Sequence, residues 1–174
     1  MHPKLQKIFD ELEADRSAWL DKVSILSDEQ FNASPAPGKW SIGYILSHIM
    51  TAERLSLLYM KKKSLGMDVL DNSGIVEHVK FIFLKVSQRI PSVKFKAPHV
   101  VVEKTPEALS FQELSDQWTA SRENLKIFLN SIDDKNIRKK IYKHIIVGQL
   151  DVVQGLKFLR EHFHHHLPQI KRLL

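Results

Sequence analysis

The chain has 174 residues, of which 43% are hydrophobic and 26% are charged, a composition typical of an ordinary globular domain. Its length is enough to bury a core without disulfides or metals, and residues 1–174 are expected to form one domain. No stretch approaches the roughly 18 to 20 apolar residues that span a bilayer, and the N-terminus lacks the apolar segment of a signal peptide. We therefore expect a soluble, cytoplasmic protein that does not act at membranes.

Cysteine is absent, which excludes disulfides, thiolate metal sites and a protein thiol nucleophile. A transition-metal site would have to use histidine and carboxylate ligands. The net charge of +6 admits a nucleic-acid partner, but lysine and arginine are interleaved with acidic residues along the chain. Two tight basic runs, 61–63 and 138–140, are expected at helix ends or in loops. A solvated basic surface is therefore favoured over a nucleic-acid site.

The first part of the chain predicts two long helices. Apolar residues recur at three- and four-residue steps over 4–26, which predicts the first one. Residues 27–30 have the form of a capping box and predict a short extra turn. The prolines and glycine of 34–38 end any helix there, and a second helix is expected to begin near Ser41. Its apolar stripe places His48 at or beside the core.

The middle of the chain is interrupted. Residues 75–88 have apolar side chains at helical spacing and predict a further helical segment. Residues 90–108 contain three prolines and three consecutive valines, so they predict an extended connection that crosses the bundle. A second capping box at 110–113 starts the third main helix, which is expected to continue to about Asn130.

The last helix is expected after the interruption at Gly148, where Asp151 and Gln154 can cap it. Pro168 lies inside its apolar pattern, removes one backbone hydrogen bond and should kink or loosen the last turn and a half. Four main helices with long middle connections predict an all-α four-helix bundle. The sequence shows no internal repeat and no second domain.

A metal site is suggested by histidines on two of these helices. His162 and His166 are four residues apart, so both imidazoles can reach one cation from the same helix face. His48, core-facing on another helix, is the natural third ligand, which leaves a coordination position for water as in catalytic zinc sites. The alternative is that 162–166 is a histidine-rich surface strip. His164 and His165 cannot share the face of the pair and are expected to face solvent or to support the ligands.

The same residues resemble the signatures of a known family. The segment from Ser34 to His48, which includes Pro37-Gly38-Lys39-Trp40, is similar to the first signature of the DinB/YfiT-like superfamily. Residues 162–170 are similar to its second signature, and residues 94–98 and 148–151 also fit. The resemblance therefore covers nearly the whole chain.

The resemblance implies a four-helix bundle of up-down-down-up topology, usually dimeric, with a divalent metal at one end. The metal is commonly zinc or nickel, and the three ligands implied by the motifs are His48, His162 and His166. Members of the family include bacillithiol-type S-transferases and a mycothiol-dependent isomerase, and others are described as metal-dependent hydrolases. We expect a metal-dependent enzyme, a thiol S-transferase rather than a hydrolase, in which basic residues bind an anionic cosubstrate.

Three further residues are weighed as parts of this site. Glu53 and Tyr44 could lie near the metal as a proton handler or a hydrogen-bond donor, but structural roles are favoured, with Glu53 turned outwards and Tyr44 packed. Trp40 is expected to be a core anchor rather than a substrate contact.

Two other classes of function compete with an enzyme. A DNA-binding damage-response factor would need a clustered basic face or a helix-turn-helix spacing, and neither is visible in the sequence. A non-catalytic metal-binding or stress-response protein would be distinguished by a fourth protein ligand that closes the site.

Overall fold

The computed structural model describes residues 1–89 and 96–174, and the statements below refer to this part of the chain. It is predominantly helical, so the all-α prediction is confirmed, whereas the up-down-down-up order stays a prediction. No helix within the described ranges is long and apolar enough to cross a membrane. The helices are α1 (Pro3–Val23), α2 (Asp28–Asn32), α3 (Ile42–Ser64), α4 (Ile75–Arg89), α5 (His99–Lys104), α6 (Phe111–Asn130) and α7 (Val152–Lys171). Short 3-10 turns occupy Met67–Val69 and Asp134–Asn136, and a hairpin is formed by β1 (Tyr142–His144) and β2 (Gly148–Leu150).

Three helices begin at capping boxes, as their sequences predict. The side chains of Ser27, Ser110 and Asp151 each accept a hydrogen bond from the backbone amide three residues on. The side chain of that later residue in turn accepts a hydrogen bond from the backbone amide of the cap residue. These reciprocal bonds satisfy amide groups that have no partner inside the helix. The starts of α2, α6 and α7 are therefore determined locally.

The hairpin before α7 is absent from the sequence-based expectations. Strands β1 and β2 pair antiparallel with Tyr142 opposite Leu150, and Gly148 adopts φ +78°, a conformation that favours glycine. The hairpin packs closely on α7, since a Cβ atom on Gly155 would lie 3.2 Å from the Tyr142 ring. This contact fixes the hairpin against the helix that carries two of the candidate ligands.

The connection before α6 is only partly extended. Residues 99–104 form α5, so the expectation of an extended chain is wrong there. Pro98 precedes this helix with φ −57°, a value compatible with a helix start. The three consecutive valines lie within this short helix. The part of the expected connection at 90–95, with Pro91, Lys94 and Phe95, lies outside the described residues.

Pro168 does not end the last helix. Helix α7 continues past it for three residues to Lys171, and Ile170 in that last stretch is fully buried. The loss of one backbone hydrogen bond is offset here by apolar packing on the core side. The lysine run 61–63 lies in the last turn of α3, as expected.

The core is divided into two apolar clusters along the four long helices. Between the clusters each helix contributes polar side chains, and we call this set the polar layer. Its members are Glu13 on α1, Thr51, Glu53 and Ser56 on α3, Arg122 on α6, and Glu161 and His162 on α7.

Glu53 lies at the centre of the polar layer and is only 3% exposed, so the expectation that it turns outwards is wrong. Arg122 donates two hydrogen bonds to its carboxylate, at 3.0 and 2.8 Å, and Trp118 Nε1 donates a third at 2.8 Å. Glu13 lies 3.3 Å from the remaining terminal nitrogen of Arg122. The carboxylate of Glu53 is thus paired with residues of α6.

Removal of Glu53 should be costly because it leaves the Arg122 guanidinium buried without its main partner. We expect Glu53→Ala to lower the free energy of unfolding by about 3 to 5 kcal/mol, measured by urea denaturation. Glu53→Gln keeps an acceptor for Trp118 and should cost less. The control Glu13→Ala removes a partly exposed partner of the same arginine and should cost about 1 kcal/mol or less. Equal small losses for Glu53→Ala and Glu13→Ala would contradict this interpretation.

Candidate metal centre

The structure brings His48, His162 and His166 together where α3 crosses α7. One ring nitrogen from each histidine lies within 4.8 Å of the other two. His162 and His166 project from the same face of α7 one turn apart, and their Nε2 atoms are 3.1 Å apart. We call these residues the histidine triad; their binding of a metal stays a prediction.

The spacing within the triad fits a common cation. Two imidazole nitrogens bound to one ion at about 2.0 to 2.1 Å, with an angle between a right angle and tetrahedral, are separated by roughly 2.9 to 3.4 Å. The observed 3.1 Å between His162 and His166 falls within that range. In addition, Nδ1 of His48 is buried without a hydrogen-bond partner in the described part of the chain. Buried polar atoms normally have a partner, so a ligand that engages His48 would remove this deficit.

The protonation state of the triad suits a cation as well. Burial lowers the pKa of His48 to about 4 and that of His166 to about 3. The pKa of His162 is held well below its usual value by burial and by the neighbouring imidazoles. All three rings are therefore neutral at pH 7 and offer lone pairs rather than positive charge.

Gln169 orients one of the candidate ligands. His166 Nδ1 donates to Gln169 Oε1 at 3.1 Å, which places the proton of the neutral ring on Nδ1 and leaves the Nε2 lone pair towards His162. Hydrogen bonds of this kind commonly fix the tautomer and orientation of a metal-binding histidine. Gln169 lies within the second signature, but nothing in its spacing alone assigned it this role.

Trp40 covers one side of the triad. Its ring centroid is 5.0 Å from that of His48 and 6.1 Å from that of His166. Tyr44 packs on the same tryptophan at 5.0 Å, as expected of a structural residue. Trp40 packs against the apolar core, as predicted, and in addition lines the cavity beside the triad.

The other two histidines of α7 do not join the triad. His164 Nε2 lies 2.8 Å from a carboxylate oxygen of Asp15, which also binds Arg160. His165 Nδ1 donates to the carbonyl of Gln88 on α4 at 2.9 Å, and its side chain lines the cavity. Both side chains are partly buried and tie α7 to neighbouring helices, and a role in supporting the ligands stays a prediction.

A cavity of about 300 Å³ lies beside the triad. One wall is a stripe on α3, with His48 followed along the same helix face by Ala52, Leu55, Ser56 and Tyr59. Among the described residues, α4, residues 96–98 and 100–101, the hairpin and Phe158 also contribute to the lining. Because the triad forms one end of the cavity, a molecule held there could reach an ion bound by the histidines.

His144 is a cavity residue that the sequence reasoning missed. It lies on β1 and is 8% exposed, and burial lowers its pKa to about 4. Its ring packs edge-on against Phe158 with centroids 4.5 Å apart. The sequence offered only the alternation of Tyr142, Lys143 and His144 ahead of Gly148, which is too short to distinguish a strand from an irregular segment.

Comparison with known proteins identifies a family and a distant relative of this chain. The family model described as the DinB superfamily matches residues 11–170. The uncharacterized protein YuaE of Bacillus subtilis (strain 168) is 24% identical over 161 residues, which cover 92% of this chain and 93% of that protein. No solved structure gives a significant match.

The contact of Gln169 with His166 predicts a loss of metal affinity when it is removed. We expect Gln169→Leu to weaken zinc binding by about 10- to 100-fold without abolishing it, because His166 loses the partner that fixes its tautomer. The affinity is measured by competition with a chromophoric zinc chelator. Gln112→Leu, the same change at an exposed position on α6, is the control and should bind zinc as the wild type does. Unchanged affinity in Gln169→Leu would contradict the assignment.

Proposed function

Since this chain belongs to the DinB superfamily, we propose that it is a metal-dependent enzyme in which His48, His162 and His166 hold one divalent ion, zinc or nickel. We propose further that it joins a low-molecular-weight thiol, through its sulfur, to an electrophilic substrate, whose leaving group departs with the bonding electrons. The observation that carries the proposal is the convergence of three neutral imidazoles at the end of a cavity.

The composition of the site favours a catalytic centre over a structural one. Within the described ranges no fourth histidine, aspartate or glutamate joins the cluster of potential ligands. Structural zinc sites are closed by four protein ligands, whereas catalytic sites keep a position for water or substrate. The triad and its adjacent cavity match the second arrangement.

The ion would supply one chemical property, namely a lowered pKa for a thiol or water placed at its open position. The protein's own residues do the rest. Gln169 orients His166, and Trp40 covers one side of His48. Because the chain has no cysteine, the sulfur has to come from a cosubstrate.

Metal content tests the first half of the proposal. Tag-free protein purified without a nickel column should contain, or take up, about one zinc or nickel ion per chain, measured by elemental mass spectrometry. His48→Ala, His162→Ala and His166→Ala should each lose the ion because two imidazoles bind it too weakly. His164→Ala, which leaves the triad intact, is the control. A wild-type protein that takes up no metal would exclude an enzyme of this kind.

Thiol transfer tests the second half. Zinc- or nickel-loaded protein should accelerate the reaction of N-acetylcysteine with 1-chloro-2,4-dinitrobenzene, in which a carbon–sulfur bond forms and chloride leaves with the bonding electrons. The rate is followed by the absorbance of the conjugate and should return to the uncatalysed value in His166→Ala and after chelation. Hydrolysis of activated esters without thiol transfer would replace the transferase by a metal-dependent hydrolase.

The expected homodimer and the expected absence of a nucleic-acid partner stay predictions. Sedimentation velocity measures the first directly. Binding to duplex DNA at low salt, with a steep loss of affinity as salt rises, would revive a nucleic-acid function.

A further inference from the structure

The charges around the cavity have one sign. Its lining includes Lys96 and Lys143, both exposed at its mouth, and no aspartate or glutamate among the described residues. A divalent ion at the triad would add further positive charge at the opposite end. Concave sites lined by one sign of charge concentrate ligands of the opposite sign. The electrostatics of the cavity therefore favour an anionic ligand.

The remainder of the lining is mainly apolar. Aliphatic and aromatic side chains from α3, α4, α5, the hairpin and α7 form the wall, and the volume of about 300 Å³ lies at the lower end of the range of small-molecule sites. A small inorganic anion would leave this apolar surface uncovered. The less exposed wall residues are Ala52, Leu55, Leu84, Val101 and Phe158.

His144 supplies a directed hydrogen-bond donor in this cavity. Its Nδ1 accepts hydrogen bonds from the backbone amides of Ile146 at 3.2 Å and Val147 at 3.5 Å. An imidazole nitrogen that accepts carries no proton, so the neutral ring holds its proton on Nε2. Nε2 has no hydrogen-bond partner among the described residues. This nitrogen is not one of the fully enclosed unpartnered atoms of the described residues, so it stays accessible from the cavity and can donate to a ligand there.

We propose that the cavity binds an organic anion with an apolar body, whose anionic group accepts from His144 Nε2 and lies near Lys143. The apolar body then packs against the wall formed by α3, α4 and Phe158. This inference names the substrate class of the proposed enzyme and rests on the proposed function only for the group that reacts at the triad. His144 is a binding residue in this scheme, not a metal ligand.

Isothermal titration calorimetry with a matched pair of probes tests the inference. 4-Phenylbutyrate carries a carboxylate on an apolar body, and 4-phenylbutanamide has nearly the same shape without the charge. We expect zinc-loaded and metal-free protein both to bind the carboxylate at least about tenfold more tightly, because a hydrogen bond to a charged group is stronger than one to a neutral group.

Two substitutions of His144 separate its binding role from its structural role. In His144→Asn the amide oxygen can still accept from the hairpin amides, but the Nε2 donor is lost. In His144→Gln a donor near the Nε2 position is kept and the acceptor for the hairpin is lost. We expect His144→Asn to weaken 4-phenylbutyrate binding about tenfold or more, and His144→Gln to retain most of the affinity. Thermal unfolding should show the reverse order, with Gln less stable than Asn.

Lysine substitutions test the electrostatic part. Lys143→Gln should weaken binding of 4-phenylbutyrate and leave binding of 4-phenylbutanamide unchanged. Lys126→Gln, at an exposed position on α6, should change the affinity for neither probe. Equal binding of the two probes, or an Asn variant that binds as the wild type does, would overturn the inference. If zinc does not bind but the carboxylate is still preferred, the proposed enzyme fails and the anion site stands.

Discussion

Helix α3 lies between α6 and α7, and this position separates the carboxylate of Glu53 from water. The carboxylate is tolerable there only because Arg122 and Trp118 reach it from α6 with three hydrogen bonds. Those bonds fix the height and rotation of α3 in the bundle, since displacement by one turn would leave an arginine and a glutamate buried apart. His48, on the same helix, is thereby held opposite the two histidines of α7, so the geometry of the triad depends on an ion pair that takes no part in its chemistry.

Local signals in the sequence predicted much of the helical framework. Capping boxes and the three- and four-residue spacing of apolar residues involve neighbours along the chain, and the starts of α2, α6 and α7 follow from them. The pairing of Glu53 with Arg122 joins residues 69 positions apart, and no local pattern reveals it. The hairpin that carries His144 was missed because its strands have only three residues each, too few for an alternation to be distinguished from an irregular segment.

The family match and the geometry contribute different parts of the functional argument. Membership of the DinB superfamily gives the fold and raises the expectation of a metal, but the relative from Bacillus subtilis is itself uncharacterized and transfers no activity. The neutral imidazoles and the adjacent cavity, whose charged lining residues in the described part of the chain are both lysines, are properties of this chain's own residues. The proposed ligand class follows from these residues, among which His144 would not have been selected by the family's signatures.

The stripe on α3 places His48 and one wall of the cavity on one continuous helix face. His48 is followed at successive turns by Ala52, then Leu55 and Ser56, then Tyr59, and each turn advances about 5.4 Å. Distances along this wall can therefore be counted from His48, and Tyr59 lies about 16 Å further along the helix axis. A larger side chain at Ala52 would shorten the space next to the reacting end, whereas changes at Tyr59 would alter only how long a molecule fits. For the proposed organic anion, the length of the space along this face is thus set by a few positions on a single helix.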